Sequence, residues 1–168
     1  SVSDAGGYWT RGHPGAWLRA EDEGVLTVRA HNSLYVFPDR PFEEQLDELA
    51  AWFSDDPGRL VQFDTAKIYV DGILDLGTAR LLGGYSEPID PDYPEGFLYF
   101  EPDTLFEYTT ALHDIGFRIN FHVIGDAAVR LALDAIEIIG GDAAQRHHRT
   151  THTYLVADTD LARFAALG

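Results

Sequence analysis

Two residue types are absent from this sequence of 168 residues, which contains no cysteine and no methionine. The absence of cysteine excludes disulfide bonds, thiol nucleophiles and metal sites built on thiolates, and it leaves the redox compartment undetermined. The absence of methionine means that the sequence does not begin at a translation start. Because it opens on a short strand-like segment and stops just after a helical pattern, we expect an internal piece of a longer protein.

Positive charge is also scarce. The chain carries 12 basic residues against 28 acidic ones, which gives a formal net charge of -16. Nucleic acids and anionic membranes are bound through clustered lysine and arginine side chains, so this balance argues against both as partners. No apolar run approaches the roughly 20 residues that span a bilayer, and the first residues lack the layout of a signal peptide. By default these features predict a cytoplasmic protein that acts on a small molecule.

Lysine is the rarest charged residue, since Lys67 stands alone beside 11 arginines. A chain that uses arginine for its surface charge has a local reason to keep one lysine, because lysine offers a reactive or modifiable amine that arginine lacks. Chance placement is the alternative.

The chain does have 45% hydrophobic residues, enough for a single domain with one core over residues 1–168. Strand-like, β-branched runs alternate with helical patterns, which predicts an α/β fold with a parallel sheet and right-handed crossovers. About five strands can be placed, whereas a complete (β/α)8 barrel takes about 250 residues. The sequence therefore predicts either part of a TIM barrel or a complete five-stranded, flavodoxin-like sandwich.

The element boundaries follow from periodicity and from turn residues. The predicted strands cover residues 1–5, 25–30 with a continuation towards 35, 60–70, 117–124 and 149–156. The predicted helices cover residues 14–23, 41–53, 103–115, 126–139 and 159–167, with Asp103 and Asp126 as N-caps. Residues 72–101 form a long segment rich in glycine and aromatic residues, which is typical of a functional lid.

Three of the predicted strands carry a chemically useful side chain near the carboxyl end, namely Lys67, His122 and His152. Strand alternation places Tyr69 and Asp71 on the same face as Lys67, and it places His152 on the inward face of its own strand. The carboxyl ends of neighbouring parallel strands meet at one edge, where α/β sheets and barrels have their active sites. We therefore expect a shared site, with Tyr69 and Asp71 as candidates for substrate binding.

The residue types at this edge favour a metal centre. Two imidazoles from adjacent strands are a common way to hold Zn²⁺ or a similar ion. A lysine ammonium cannot bind a metal, but a lysine carbamylated by CO₂ is an anionic carboxylate that can bridge two metal ions. Such a centre would activate a water molecule for attack on an amide-like carbonyl.

Each of these residues also has a structural interpretation, and the residues alone leave it open. His122 on an apolar strand is typical of a core histidine bonded to the backbone. His152 belongs to a polar cluster, residues 147–152, which is typical of a loop running into a strand. Lys67 is consistent with a side chain that extends from a strand end to water. The remaining histidines are interpreted as surface or loop residues, and they are His13, His31, His113, His147 and His148.

Three stretches carry a family resemblance. Residues 66–72 (AKIYVDG), 121–128 (FHVIGDAA) and 149–164 (RTTHTYLVADTDLARF) resemble, in this order, three signatures of the YtcJ-like group of the amidohydrolase superfamily. Residues 2–7 (VSDAGG) are similar to the second-strand phrase of the same group, which lies in amidohydrolase family 3 and is related to N-substituted formamide deformylase. The resemblance spans nearly the whole chain.

This resemblance implies strands two to six of a metal-dependent (β/α)8 barrel that hydrolyses non-peptide C–N bonds in small amides or formamides. It implies that Lys67 is the carbamylated, metal-bridging ligand and that His122 and His152 bind one or two Zn²⁺ or similar ions. The first-strand histidine pair and the eighth-strand aspartate, a ligand and general base, have no counterpart in residues 1–168. No catalytic residue is therefore expected here, and Thr151 replaces the glutamate usual in the group.

These departures predict that the chain alone binds metal weakly and does not turn over. A partial barrel leaves two strand edges and apolar helix faces without partners, so we also expect self-association. Two alternative functions remain at this point: a flavodoxin-like module that binds a small ligand, and a degenerate fragment without catalytic activity.

Overall fold

A computed structural model describes all residues of the chain from Ser1 to Gly168. The strands are β1 (Val2–Gly7), β2 (Ala30–Tyr35), β3 (Val61–Tyr69), β4 (Arg118–Val123) and β5 (Arg149–His152). The helices are α1 (His13–Asp22), α2 (Phe42–Trp52), α3 (Pro102–Ile115), α4 (Asp126–Ile139), α5 (Ala143–Arg146) and α6 (Leu161–Leu167). Short 3₁₀ turns lie at Trp9–Arg11, Leu74–Leu76 and Asp158–Asp160.

The five strands form one sheet in the order β1-β2-β3-β4-β5, and every neighbouring pair is parallel. A doubly wound sandwich needs a point at which the strand order reverses, and this sheet has none. The consecutive order is that of a (β/α) barrel, and the sheet curls into about half of one. The prediction of a partial TIM barrel is therefore confirmed, and the flavodoxin-like alternative is wrong.

The outer face of the sheet packs against the helices and forms the hydrophobic core. Leu34, Ile68 and Phe121 point outward from β2, β3 and β4 and are fully buried in a single apolar cluster. Helix α4 contributes its predicted apolar stripe to the same cluster, including Val129 and Leu133. Burial of one face of each helix is what orders the crossovers around the sheet.

The inner face of the sheet is polar, as expected of a barrel interior that leads to a site. Ser33, Thr65, Lys67, Asn120 and His122 lie in register on β2, β3 and β4, and all five are buried. Side-chain oxygens of Ser33 and Asn120 have no hydrogen-bond partner. Buried polar atoms normally have partners, so this face holds unused hydrogen-bonding capacity.

Several predicted boundaries are wrong. Residues 25–29 are not a strand, although they are β-branched; Val25 is 66% exposed, and β2 begins only at Ala30, where pairing with Val61 of β3 starts. Strand propensity without a partner strand is not enough to make a strand. Strand β5 ends at His152, well before the predicted end, and helix α5 was not predicted.

Both predicted N-caps are also wrong. Helix α3 begins at Pro102 with Glu101 as its N-cap, because proline suits the first helical position. Helix α4 has Gly125 as its N-cap, and the Asp126 carboxylate accepts a hydrogen bond from the Leu82 amide of the long loop. No helix in the chain combines the length and the apolar character needed to cross a membrane.

Candidate metal centre

The carboxyl ends of β3, β4 and β5 bring together the side chains of Lys67, His122 and His152. The rings of His122 and His152 meet edge-on with centroids 4.6 Å apart. The Lys67 amine donates a 2.8 Å hydrogen bond to the hydroxyl of Thr151, the residue before His152. Three stretches that are far apart in the sequence thus converge at one edge of the sheet.

The His122 ring is fixed on one side and free on the other. Its Nε2 lies 3.0 Å from the Gly72 carbonyl oxygen, which can only accept a hydrogen bond, so Nε2 carries the proton. The opposite nitrogen, Nδ1, is buried and has no hydrogen-bond partner. The Tyr69 ring stacks on the imidazole at a centroid distance of 4.5 Å. His122 therefore presents a bare nitrogen lone pair in a fixed orientation.

Lys67 is buried without a carboxylate partner. Its ammonium lies 5.2 Å from the centre of the Tyr69 ring, and the only hydrogen bond that it makes is the one to Thr151. No carboxylate compensates its charge, so burial, helped by the charge of Arg149, lowers the pKa of Lys67 to about 8. The neutral, nucleophilic form of the amine is therefore more populated near neutral pH than it is in an ordinary lysine.

His152 reaches His122 by a different route from the one predicted. In the β4–β5 ladder, Thr151 is opposite His122 and His152 is opposite Val123, so strand alternation points Thr151 inward instead of His152. His152 has a φ of 73° and Thr153 a φ of 47°, both in the left-handed region. This turn at the end of β5 brings the His152 ring back towards His122, where part of it stays exposed. The predicted inward alternation is wrong, although the predicted neighbourhood of the two rings is correct.

Both imidazoles are held in the neutral form. Burial lowers the pKa of His122, and the charge of Lys67 lowers it further. Burial also lowers the pKa of His152, with smaller contributions from His122 and Lys67. Metal ligation requires a neutral imidazole, so the local electrostatics favour it.

Asp71 organises the loops around the site. It is fully buried, its Oδ1 accepts a hydrogen bond from the Ile124 amide, and its Oδ2 accepts bonds from the amides of Gly125 and Arg80. Burial raises the pKa of Asp71, and these amide bonds act in the opposite direction. Gly125 is required here because a Cβ atom would lie 1.9 Å from the Arg80 carbonyl oxygen. The carboxylate predicted to bind substrate thus holds the β4–α4 turn against the long loop.

The donor set fits a metal ion only in part. No group of three His, Asp, Glu or Cys side chains within residues 1–168 is arranged to hold a metal ion. Two neutral imidazoles are the available donors, and Nδ1 of His122 is buried without a hydrogen-bond partner. A carbamylated Lys67 would add an anionic oxygen donor at the same edge. The residues present therefore fit one side of a metal centre.

The sequence reasoning missed Thr151 as a partner of Lys67. Its hydroxyl accepts from Lys67 and donates to the Phe121 carbonyl, which links β5 to both β3 and β4. Only the strand register reveals this position, and the register depends on pairing that the sequence does not state. The sequence reasoning also interpreted His113 and His148 as surface or loop residues; His148 does lie in a loop, but both are buried, and His113 belongs to α3.

The fold and the site define a (β/α)-barrel protein with its candidate centre at the carboxyl ends of the strands. The chain belongs to the amidohydrolase family, whose model matches residues 1–168. Among solved structures, the chain is similar to an uncharacterized metal-dependent hydrolase from Pyrococcus furiosus, with 29% identity and a TM-score of 0.77. It is also similar to one from Pyrococcus horikoshii OT3, with 28% identity and a TM-score of 0.77.

Each of these matches covers 99% of this chain, which spans 32% and 31% of the two hydrolase chains. No functionally curated protein matches the chain significantly. The family and the barrel architecture are therefore established for the region that these residues form.

Proposed function

We propose that this chain forms part of a metal-dependent hydrolase that cleaves a non-peptide C–N bond in a small amide or formamide. Membership of the amidohydrolase family supports a hydrolase, and the similar Pyrococcus proteins are named as metal-dependent hydrolases. The single observation that carries the proposal is the buried, unpartnered Nδ1 of His122, in a ring that lies against the His152 ring at the edge where Lys67 also lies.

In this proposal the metal ligands are His122, His152 and a carbamylated Lys67. The proposed ion is Zn²⁺ or a similar divalent metal, present as one or two ions. When bound, such an ion polarises the substrate carbonyl and makes a water molecule acidic enough to attack it.

The residues of this chain orient the donors. The Gly72 carbonyl fixes the His122 tautomer, which leaves Nδ1 as the donor atom and matches the support that metal-binding histidines usually have. Thr151 holds the Lys67 amine at the same edge. The lowered pKa of Lys67 supplies the neutral amine that reaction with CO₂ requires. We assign no general base within these residues, since Asp71 is fully buried and bonded to three backbone amides.

We also propose self-association of the chain through its edge strands. Strands β1 and β5 each pair on one side only, and half of the residues in each are exposed. An open, exposed edge is a template for pairing with another strand. Sedimentation over a range of concentrations tests this proposal, and a monomer at every concentration would contradict it.

The metal proposal is tested by measuring Zn²⁺ binding to the chain and to two single variants. We expect His122→Ala to weaken binding by at least about tenfold, because it removes the free lone pair. His13→Ala is the matched control, since His13 is exposed on α1 and lies outside the site. Equal binding by all three proteins would contradict the proposal.

Mass spectrometry provides a second readout at Lys67. After incubation with bicarbonate and Zn²⁺, we expect a fraction of the chain to gain the mass of one CO₂. Lys67→Arg removes the single lysine and should abolish this gain. Absence of both metal binding and the modification would instead support the degenerate, non-catalytic alternative.

A further inference from the structure

Asp71 is a buried carboxylate that the proposed chemistry does not use. It follows the end of β3 after one intervening residue, and its side chain is fully buried. His122 is the one basic side chain within 4.0 Å of its oxygens, with Nε2 3.9 Å from Oδ1. Burying a carboxylate is costly unless its lone pairs are satisfied. The partners of the two oxygens therefore indicate what this group does.

Backbone amides use three of the four lone-pair positions that a carboxylate offers. Oδ2 of Asp71 accepts from the amides of Gly125 at 2.8 Å and of Arg80 at 2.9 Å. Oδ1 accepts from a single amide, that of Ile124, at 3.0 Å. All three neighbours donate, which holds the group as a carboxylate. Attachment of the long loop and of the β4–α4 turn thus leaves one position on Oδ1 without a role.

The oxygen with the unused position is the one next to His122. The proton on Nε2 of His122 is donated to the Gly72 carbonyl oxygen at 3.0 Å, and Oδ1 of Asp71 lies 3.9 Å from the same nitrogen. This distance is too long for a second hydrogen bond. Both side chains are buried, however, and charges that are buried interact with little screening. A negative charge beside Nε2 favours the tautomer that carries the proton there.

The position of that proton decides what the opposite ring nitrogen can do. With Nε2 protonated, the lone pair is on Nδ1, the buried atom of His122 that has no partner. A carboxylate or a carbonyl behind a histidine is the usual support of a metal ligand, because it fixes the tautomer and makes the donor nitrogen more basic. His122 has the Gly72 carbonyl and the Asp71 carboxylate on the same side of the ring.

The long loop keeps both supporting groups in place. Arg80 belongs to this loop and bonds to Asp71 through its backbone amide. A Cβ atom on Gly72 would lie 2.2 Å from the Thr78 hydroxyl, so Gly72 is packed tightly against the loop. The two groups that face Nε2 of His122 are therefore held by one segment of the chain.

We propose that Asp71 is a positioning residue for His122, whose carboxylate keeps the proton on Nε2 and thereby presents Nδ1 to the metal ion. The inference rests on the proposed function for the metal ion, whereas the effect on the proton applies to the metal-free chain as well. Asp71 acts through His122 and touches neither the ion nor the substrate.

Two asparagine variants test the inference. Asp71→Asn removes the charge beside His122 and introduces an N–H group that can donate to Nε2. Asp126→Asn is the matched control, because the Asp126 carboxylate also accepts from an amide of the long loop, that of Leu82, but has no ion pair or hydrogen bond with His122. The first readout is NMR of the imidazole nitrogens in the metal-free chain, with the His122 signals identified by their loss in His122→Phe.

The unmodified chain and Asp126→Asn should each show separate signals for a protonated and a bare nitrogen of His122. In Asp71→Asn these two signals should move towards each other, because the second tautomer becomes populated. Zn²⁺ binding should weaken at least about tenfold in Asp71→Asn and stay nearly unchanged in Asp126→Asn. Equal effects of the two variants would overturn the inference, since Asp71 would then only anchor the loop.

Measurements on the unmodified chain decide the outcome if Asp71→Asn does not fold. Averaged nitrogen signals of His122 in the metal-free chain would overturn the inference, because no group would then fix the proton. Zn²⁺ should also slow hydrogen exchange of the Arg80 amide, which is bonded to Asp71, more than that of the Leu82 amide, which is bonded to Asp126. Equal slowing of the two amides would contradict a connection that runs through Asp71.

This inference and the proposed function fail separately. Zn²⁺ binding that depends on His122 but not on Asp71 would overturn the inference and leave the hydrolase proposal standing. Nitrogen signals of His122 that depend on Asp71, in a chain that binds no Zn²⁺, would support the orientation of His122 by Asp71 and contradict the metal centre.

Discussion

Each end of the sheet holds a pair of neighbouring histidines, and the two pairs differ in how their nitrogens are used. At the carboxyl end, His122 and His152 lie in ring contact, and Nδ1 of His122 has no partner. At the amino end, His113 of α3 and His148 just before β5 are joined by a 3.1 Å hydrogen bond. His122 and His148 are buried to nearly the same extent, 6% and 9% exposed, so burial does not distinguish them.

The amino-end pair is part of a continuous chain of hydrogen bonds. The Ile119 amide donates to Nδ1 of His148, so the proton of this ring is on Nε2, which donates to Nδ1 of His113. His113 in turn donates from Nε2 to the Asp142 carboxylate. Each ring nitrogen has a partner, and each proton has a defined position.

The difference teaches how to interpret buried histidines in this molecule. Every ring nitrogen of the amino-end pair has a hydrogen-bond partner within the fold, so the role of this pair is structural. The carboxyl-end pair leaves a lone pair unused, which costs stability unless something binds there. A histidine's pattern of partners, more than its burial, indicates whether it is available for a ligand.

The largest expected effect on stability comes from breaking the amino-end pair, His113 and His148, in which every ring nitrogen has a partner. His148→Phe keeps the ring but removes both hydrogen bonds, which leaves the buried Ile119 amide and Nδ1 of His113 without partners. We expect the free energy of unfolding to fall by about 3 kcal/mol, measured by urea denaturation. His13→Phe is the control at an exposed histidine on α1, and it should change stability by no more than about 0.5 kcal/mol.

Acidification tests the same pair without a mutation. Burial, helped by the charges of His113 and Arg146, lowers the pKa of His148 from 6.5 to about 4. The unfolded chain therefore takes up a proton near pH 6.5 that the folded chain refuses until about pH 4, so stability falls as the pH drops through this window.

The full loss from His148 amounts to about 3 kcal/mol by linkage. Urea denaturation between pH 7 and pH 4.5 measures it, and the His148→Phe variant should show a flatter profile over the same range. Parallel profiles for the two proteins would mean that the loss comes from other groups, such as His122 and His152, whose pKa values are also lowered.

A smaller effect is expected at the junction of Lys67 with Thr151. Thr151→Val keeps the shape of the side chain but removes the hydroxyl that accepts from Lys67 and donates to Phe121. We expect a loss of about 1 kcal/mol in stability and a further decrease in the pKa of Lys67, because its ammonium form loses its hydrogen-bond acceptor.

Lys67 is the single lysine, so NMR of the dimethylated amine reports its titration with only the amino terminus as a second signal. Thr151→Ser retains a hydroxyl and should behave like the unmodified chain. An unchanged Lys67 titration in the valine variant would show that Thr151 does not hold the amine.

Much of the architecture was predictable because it depends on local patterns. Alternation of strands and helices gave the parallel sheet, and the apolar stripe of α4 was correct at Val129 and Leu133. The convergence of Lys67 and His122 followed from strand ends meeting at one edge. The predictions that were wrong concern features that depend on pairing between distant residues, which a single sequence does not state.

His148 and Thr151 illustrate that limit. His148 is the loop residue that the sequence suggests, but only His113 of α3 and Ile119 of β4 supply its hydrogen-bond partners. Thr151 looks like a neutral replacement, and only the register opposite His122 places it under Lys67. The left-handed backbone at His152 is equally invisible, because nothing in residues 149–153 requires a positive φ.

The smallest expected effect on stability is the most discriminating. His122→Phe keeps the ring that stacks on Tyr69 and loses the hydrogen bond to the Gly72 carbonyl, which costs about 1 kcal/mol. The same change removes the buried Nδ1 that has no partner, which offsets that loss. The metal-free chain should therefore change in stability by less than about 1 kcal/mol, against about 3 kcal/mol for His148→Phe.

Zn²⁺ should make the unmodified chain clearly more stable than the His122→Phe variant, since it stabilises the unmodified chain and leaves the variant unchanged. Melting curves with and without Zn²⁺ measure both effects on the same samples. If the two phenylalanine variants were equally destabilised without metal, Nδ1 of His122 would have a partner in solution. The contrast between a saturated and an unsaturated histidine pair would then fail, and with it the main support for a ligand at the carboxyl end of the sheet.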